Sequence, residues 1–313
     1  MFITLCNPAA MKKIGYTTAV VRYGELALKS QRVRKRFEKT LIKNMEFALK
    51  KKKLIFDILQ EWGRVYVYGS QIDEIVETLT KMFGVVSVSP AVEVQPNLEA
   101  IGEKVVSVIK HRCSSKKNSF ALRVTRVGAH EFTSQEIAVS VGDMVRKNLG
   151  FQVDLEKPDI EVFIEVRGEK TFIYTEKVKG PGGLPVGTQG KIFSIIRNKQ
   201  DVLAVWYLLK RGCDVVALGE KDVVKPLIEN WFLWKHIILL NENITNDTFI
   251  TRVNNLVEKY NCSAVVVGES FDDLKAQLIR GKSIDVHLQV PVLRPILVFG
   301  REEINERIKE LVL

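Results

Sequence analysis

Thiols and imidazoles are scarce in this chain, with four Cys and four His among 313 residues. Cys6, Cys113, Cys213 and Cys262 are scattered and form no C-x-x-C pair, and His111, His130, His236 and His287 lack metal-ligand spacing. That argues against a zinc or iron–sulfur site. It assigns the thiols to buried structural roles in a reducing cytoplasm. No apolar run reaches the roughly 18 residues that would cross a bilayer. Residues Met1 to Lys13 lack a signal-peptide layout, and Met11 stands just ahead of Lys12 and Lys13; they read as an N-terminal extension.

A third absence is local. Val186 to Leu218 reads as an apolar strand, a short polar loop, a helix, a stop at Gly212 and a second apolar strand, the opening of a nucleotide-binding α/β unit. Such a unit holds phosphate on small residues and bare backbone N–H groups. Here the loop is Arg197-Asn198-Lys199-Gln200-Asp201, without a glycine.

Positive charge is abundant. The chain carries a net charge of +10, and residues 14–83 hold 14 basic against 8 acidic side chains. A local basic excess points to a polyanionic partner. It concentrates on Gln31–Lys53, where Val33, Phe37, Leu41, Met45 and Ala48 recur at helical spacing. The other face carries Arg32, Arg34, Lys35, Arg36, Lys39 and Lys43, with Lys29 just before it. Near-uniform sign over several turns costs self-repulsion, so the face reads as an RNA contact rather than a merely solvated surface.

The first unit runs strand 16–21, this helix, strand 63–69, a helix over 70–84 with Ser70 as N-cap and Gly84 as stop, and strand 85–94. That order suggests a ferredoxin-like α+β domain. The second unit has helix 98–112, strand 119–128, helix 133–149 with a Thr133/Glu136 capping box, then two strands joined at Gly168-Glu169. Lys179–Gly190, with five Gly and two Pro, reads as a linker. The third unit, from Lys191, has the continuous apolar runs of a buried parallel sheet.

Taken together, several stretches resemble the tRNA 4-thiouridine synthetase (thiamine-biosynthesis-type tRNA sulfurtransferase) family. They are "VVRYGELALKSQRVRKRFEKTLIKN", "FALRVTRVGAHEFTSQEI", "GPGGLPVGTQGK", "VVVGES" and "VPVLRPILVFGREEI". The resemblance implies a ferredoxin-like domain over 14–83, an α/β THUMP domain over 84–178, the linker at 179–190, and a Rossmann-like PP-loop domain over 191–313. It implies that the first two domains hold the tRNA acceptor end. The third would use ATP to adenylate a uridine before sulfur transfer.

The family loop S-G-G-x-D-S falls on Arg197, Asn198, Lys199, Gln200, Asp201 and Val202, and only Asp201 matches. Arg197 and Lys199 could attract phosphate by charge, or be solvated loop residues. The span from Glu220 to Cys262 lacks the family's C-x-x-C element, and Cys213 and Cys262 read as core cysteines. The expectation is therefore a cytoplasmic tRNA-binding protein with a degenerate PP-loop, no cofactor and no membrane contact. A homodimer or a sulfur-carrier partner is compatible with it. The alternative is an active sulfurtransferase that uses ATP and Mg through a non-standard loop; another structured RNA is a further candidate ligand. Arg123, Arg126, His130 and Phe132 read either as a structural loop with Phe132 in the core, or as a site where an unpaired 3′ end stacks. Asp272-Asp273 reads as a helix N-terminal turn.

Overall fold

A computed structural model describes residues 15–24, 30–112, 118–240, 249–279 and 285–311. Lys29, Cys6 and Cys113 lie outside the described residues, as does the whole of the expected N-terminal extension, residues 1–13. Among the described residues no helix is long and apolar enough to cross a membrane. The chain forms two compact units: 1–23, 49–80 and 86–180; and 24–48, 81–85 and 181–313.

The first unit is built on one nine-stranded sheet. Its strands are β1 (Thr18–Tyr23), β2 (Asp57–Glu61), β3 (Arg64–Tyr68), β4 (Val85–Val94), β5 (Ser119–Val127), β6 (Gln152–Val153), β7 (Ile160–Arg167), β8 (Lys170–Tyr174) and β9 (Val178–Lys179). The order is β2-β3-β1-β4-β8-β7-β5-β6, with β9 also on β4. The sheet thus runs unbroken from the ferredoxin-like half into the half expected to be THUMP. Helices α2 (Ile72–Leu79), α3 (Leu98–Arg112) and α4 (Ser134–Leu149) complete it. Thr133 caps α4: its Oγ1 accepts the Glu136 N–H, and Glu136 accepts the Thr133 N–H at 2.6 Å. Both halves of the expected capping box are present.

Two readings need correction. β2 was not expected; it is an edge strand whose side chains are exposed or half-buried, so it carries no strong apolar alternation. It pairs with β3 through the two-residue loop Trp62-Gly63, closed by the Glu61–Arg64 pair. The second helix is shorter than expected at both ends: Gln71, not Ser70, is its N-cap, and Thr80, not Gly84, its C-cap. The expected Gly/Pro linker contains the division between the two units, at Gly180–Pro181, and its backbone is hydrogen-bonded. Lys179 belongs to β9, Leu184 N–H donates to the Lys210 carbonyl at 2.9 Å, and the N–H groups of Gly187, Thr188 and Gln189 all point at the Gly212 carbonyl.

The second unit contains most of α1 (Gln31–Lys51) and a five-stranded parallel sheet. Phe37, Leu41, Met45 and Ala48 of α1 are buried, as their spacing predicted, while Val33 is half-buried. The sheet strands are β10 (Lys191–Ile196), β11 (Asp214–Gly219), β12 (Ile237–Leu240), β13 (Cys262–Val266) and β14 (Val292–Leu293), in the order β12-β11-β10-β13-β14. All four pairings are parallel. The helices are α5 (Lys199–Lys210), α6 (Lys221–Asn230), α7 (Phe249–Lys259), α8 (Phe271–Ile279) and α9 (Arg301–Glu310). Two apolar layers bury the sheet, one around Val202, Val205 and Leu209 of α5, the other around Val253 and Leu256 of α7. The chain builds outward from β10 to β12 and then returns to β13 on the other side. The order therefore reverses between β10 and β13, and a ligand crevice opens there in such sheets.

Candidate functional site

The loop after β10 and the turn after β13 meet at that reversal. Asn198 is the N-cap of α5, and its side-chain oxygen accepts the N–H groups of Gln200 (2.8 Å) and Asp201 (3.1 Å). Asp201 is 1% exposed. Its carboxylate accepts the Arg197 N–H at 3.0 Å, two donors of the Arg197 guanidinium at 3.1 Å each, and the Gly268 N–H at 2.9 Å. These are donors of the kind that a phosphate would use at a helix N-terminus. Side chains of the loop itself hold them. The Asp201 carboxylate accounts for the lifted Arg197 pKa, against the opposing effect of burial.

Close packing reinforces this. A Cβ on Gly268 would lie 2.6 Å from the main-chain N and Cα of Asp201, so only glycine lets β13 approach α5 this tightly. Gln200 reaches Asp273 Oδ2 at 3.2 Å, and Asp273 also takes the Ser270 hydroxyl at 2.6 Å and its N–H at 2.9 Å. Burial alone would raise the Asp273 carboxyl; the Ser270 bonds outweigh it and hold it low. Asp272 and Asp273 form the first turn of α8, as expected. Arg294 closes the far side, donating to Glu269 at 2.8 Å and, bidentately, to Asp285 at 2.8 and 2.6 Å.

Of the expected loop residues, Asp201 is a buried staple, Asn198 a cap, and Arg197 the partner of Asp201. Lys199 is exposed. Cys262 is buried and Cys213 half-buried; burial raises both thiols, and Asp214 raises Cys213 further. Lys191 beside Cys262 and Arg211 beside Cys213 act the other way, but burial outweighs them.

The basic helix divides into two sets. Arg32, Lys35, Arg36, Lys39 and Lys43 are exposed, and at about 100° per residue they share an arc of about 100°, roughly 16 Å long. Arg34 points away from that arc, half-buried and 3.8 Å from Glu38.

The expected group on the loop after β5 also divides. Arg123 and Arg126 are three residues apart on a strand, so they project from opposite faces. Arg123 is committed to Glu161 at 2.6 Å and the Leu155 carbonyl at 2.8 Å. Arg126 reaches the Gly128 carbonyl at 3.3 Å. His130 donates through Nε2 to the Gly168 carbonyl at 2.9 Å and stacks on Phe132 at 5.9 Å between centroids. Phe132 is half-buried, not a core residue.

Sequence reasoning missed two clusters. Glu165 on β7 is 2% exposed and gathers Arg22, Arg64 and Arg167. These residues come from three strands, β1, β3 and β7, and only the Glu165–Arg167 pair is close in sequence, so no sequence spacing reveals the cluster. In the second unit His236 bridges Asp214 Oδ1 (2.8 Å) and Asn44 Oδ1 (3.1 Å), while Asn44 Nδ2 donates to the Val186 carbonyl (3.0 Å). Gly187, in the left-handed region at φ +86°, passes so close that a Cβ would meet the imidazole at 3.1 Å.

The family model described as the ThiI ferredoxin-like domain matches residues 18–89, and the THUMP domain model matches 95–176. A probable tRNA sulfurtransferase of Methanobrevibacter smithii is 33% identical over 330 residues, covering 93% of this chain and 85% of its own length. Its counterpart from Thermococcus kodakarensis is 29% identical, covering 95% and 88%. PH1313 from Pyrococcus horikoshii superposes with a TM-score of 0.78 at 29% identity, covering 95% of this chain and all of the other. A 4-thiouridine synthetase in complex with RNA and bound ATP has the same fold, with a TM-score of 0.74 at 23% identity, covering 95% and 85%.

Proposed function

The chain belongs to the tRNA sulfurtransferase family, and from that premise we propose that it binds tRNA through its first two domains and has lost the use of ATP. One observation carries the second half: Asn198 takes the Gln200 and Asp201 N–H groups at the start of α5, and the Asp201 carboxylate takes those of Arg197 and Gly268 beside it. A triphosphate there would have to displace four bonds to a buried carboxylate, and Gly268 leaves no gap behind it. The raised thiols of Cys213 and Cys262 support the same reading for sulfur transfer.

The first half rests on the THUMP match and on the exposed basic arc of α1. Lys and Arg contacts to phosphate would supply affinity that falls steeply with salt. Arg126, His130 and Phe132 remain together beside the capped start of α4, where an unpaired base could stack. The third domain then acts as a scaffold or as a docking surface for a protein that supplies chemistry.

Two titrations on one preparation test the reading. Salt-sensitive tRNA binding with no calorimetric signal for ATP·Mg²⁺ is the expected result. Clear ATP binding would overturn the closed loop and restore an adenylating enzyme. No tRNA binding at low salt would remove the first half.

A further inference from the structure

The Glu165 cluster is unbalanced. One carboxylate faces three guanidinium groups, with Arg167 Nε at 2.7 Å, Arg64 Nε at 2.9 Å and Arg22 Nη2 at 3.3 Å. Several other donors are fixed by neutral acceptors: Arg22 Nη1 by Ser89 Oγ, Arg64 Nη1 by the Gly63 carbonyl, and Arg167 Nη1 by the Trp62 carbonyl at 3.0 Å. The guanidiniums are thus held in place; Glu61, opposite Arg64 in the hairpin, is a second carboxylate near Tyr66, and three guanidiniums against two carboxylates leave a net positive charge. Burial pushes the Lys177 ammonium down; the charge of Arg22 adds to this, while Glu161 and Glu165 oppose it. A buried tyrosine hydroxyl, that of Tyr66, stands among these charges with no partner among the described residues.

Beside this cluster stands an exposed ring. Trp62 forms the tip of the β2–β3 hairpin and is 72% exposed. The Arg167 bond to the Trp62 carbonyl ties the hairpin tip to the cluster. An exposed ring next to fixed arginines that outnumber their carboxylates is a combination that holds single-stranded nucleic acid. An apolar protein partner would account for Trp62 but not for the excess positive charge.

We propose that the tip of the β2–β3 hairpin is an RNA contact site, where the Trp62 indole stacks on an unpaired base and Arg64 holds the adjacent phosphate. The site rests on the reading that the chain binds RNA, and uses none of the residues on the α1 arc or in the loop after β5. Arg64 is the most accessible of the three arginines, with 23% of its side chain exposed, and its Nη2 group is directed to no protein acceptor among the described residues.

The test uses the full chain with two probes, total tRNA and a single-stranded RNA dodecamer. Affinity is read by polarisation and Trp62 by intrinsic fluorescence. The dodecamer should quench the wild type, and the quench should vanish in Trp62→Phe while affinity stays within about threefold. Trp62→Ala should weaken both probes about tenfold without changing the salt slope. Arg64→Gln should lower the slope of log K against log salt by about one. Trp62 is exposed, so its variants decide the matter if Arg64→Gln fails to fold. Unchanged affinity in Trp62→Ala, or a quench that survives in Trp62→Phe, overturns the site and leaves tRNA binding standing. So does a Trp62→Ala variant that alters only self-association on sedimentation. If the wild type ignores tRNA but the dodecamer quenches Trp62, the site stands and the proposed function falls.

Discussion

The Gly268 N–H and the Asp201 carboxylate meet at 2.9 Å across 67 residues of sequence. That single bond joins the turn after β13 to the first turn of α5, at the point where the sheet order reverses. Removing either partner should loosen the same place. Asp201→Ala orphans the Gly268 and Arg197 N–H groups and should cost about 2–4 kcal/mol in urea unfolding. Gly268→Ala must push main chain apart and should cost a comparable amount. Both variants should still bind tRNA, since the α1 arc is untouched.

Glu165 gives the first unit a pH dependence. Burial raises its carboxyl, but Arg64, Arg22 and Arg167 outweigh that and hold it below the ordinary range. A depressed folded pKa stabilises at pH above the unfolded value near 4.3 and is lost as pH falls through the folded one. Glu165→Gln should therefore destabilise by about 3–5 kcal/mol at pH 7, by breaking a buried charged cluster. The difference from wild type should shrink below about pH 4. Equal urea midpoints at pH 7 would refute it.

The α1 arc and Arg34 should separate in a salt titration. Replacing Lys35, Lys39 and Lys43 together by Ala should lower the salt slope of tRNA binding by about two to three. Arg34→Ala should leave the slope unchanged, because Arg34 lies off the arc beside Glu38. A fall in slope for Arg34→Ala would place RNA on the wrong side of the helix.

Cys213 and Cys262 should resist alkylation. Burial lifts both thiols, leaving little thiolate at neutral pH. Peptides bearing them should stay unmodified by iodoacetamide in the native protein and react after denaturation. Rapid native labelling of either would contradict the core assignment.

Helix α3 and the capped start of α4 were legible because their signals are local: 3.6-residue periodicity, and a Thr and a Glu three apart. The parallel strands of the second unit were legible because burial on both faces demands continuous apolar runs. Strand β2 was not, since an edge strand with a solvated face needs no such pattern. The hydrogen bonding of the Gly/Pro segment was not legible for a related reason. Glycine signals both looseness and close approach, and only the neighbouring His236 and Lys210 distinguish them.

The candidate site divides along the same line. The sequence by itself determined the three-part order, the family, the basic helix and the missing glycines after β10, all of which are properties of residue type and spacing. Tertiary structure alone decided what those residues do. It buried the Asp201 carboxylate against the Gly268 N–H, committed Arg123 to Glu161, and drew Arg22, Arg64 and Arg167 from three strands onto Glu165. The reason is physical. Hydrogen bonds and ion pairs are satisfied by whichever groups the packed chain brings within about 3 Å, and the deciding partners, Gly268 of Asp201 and Arg22 and Arg64 of Glu165, lie 67 to 143 residues away in sequence.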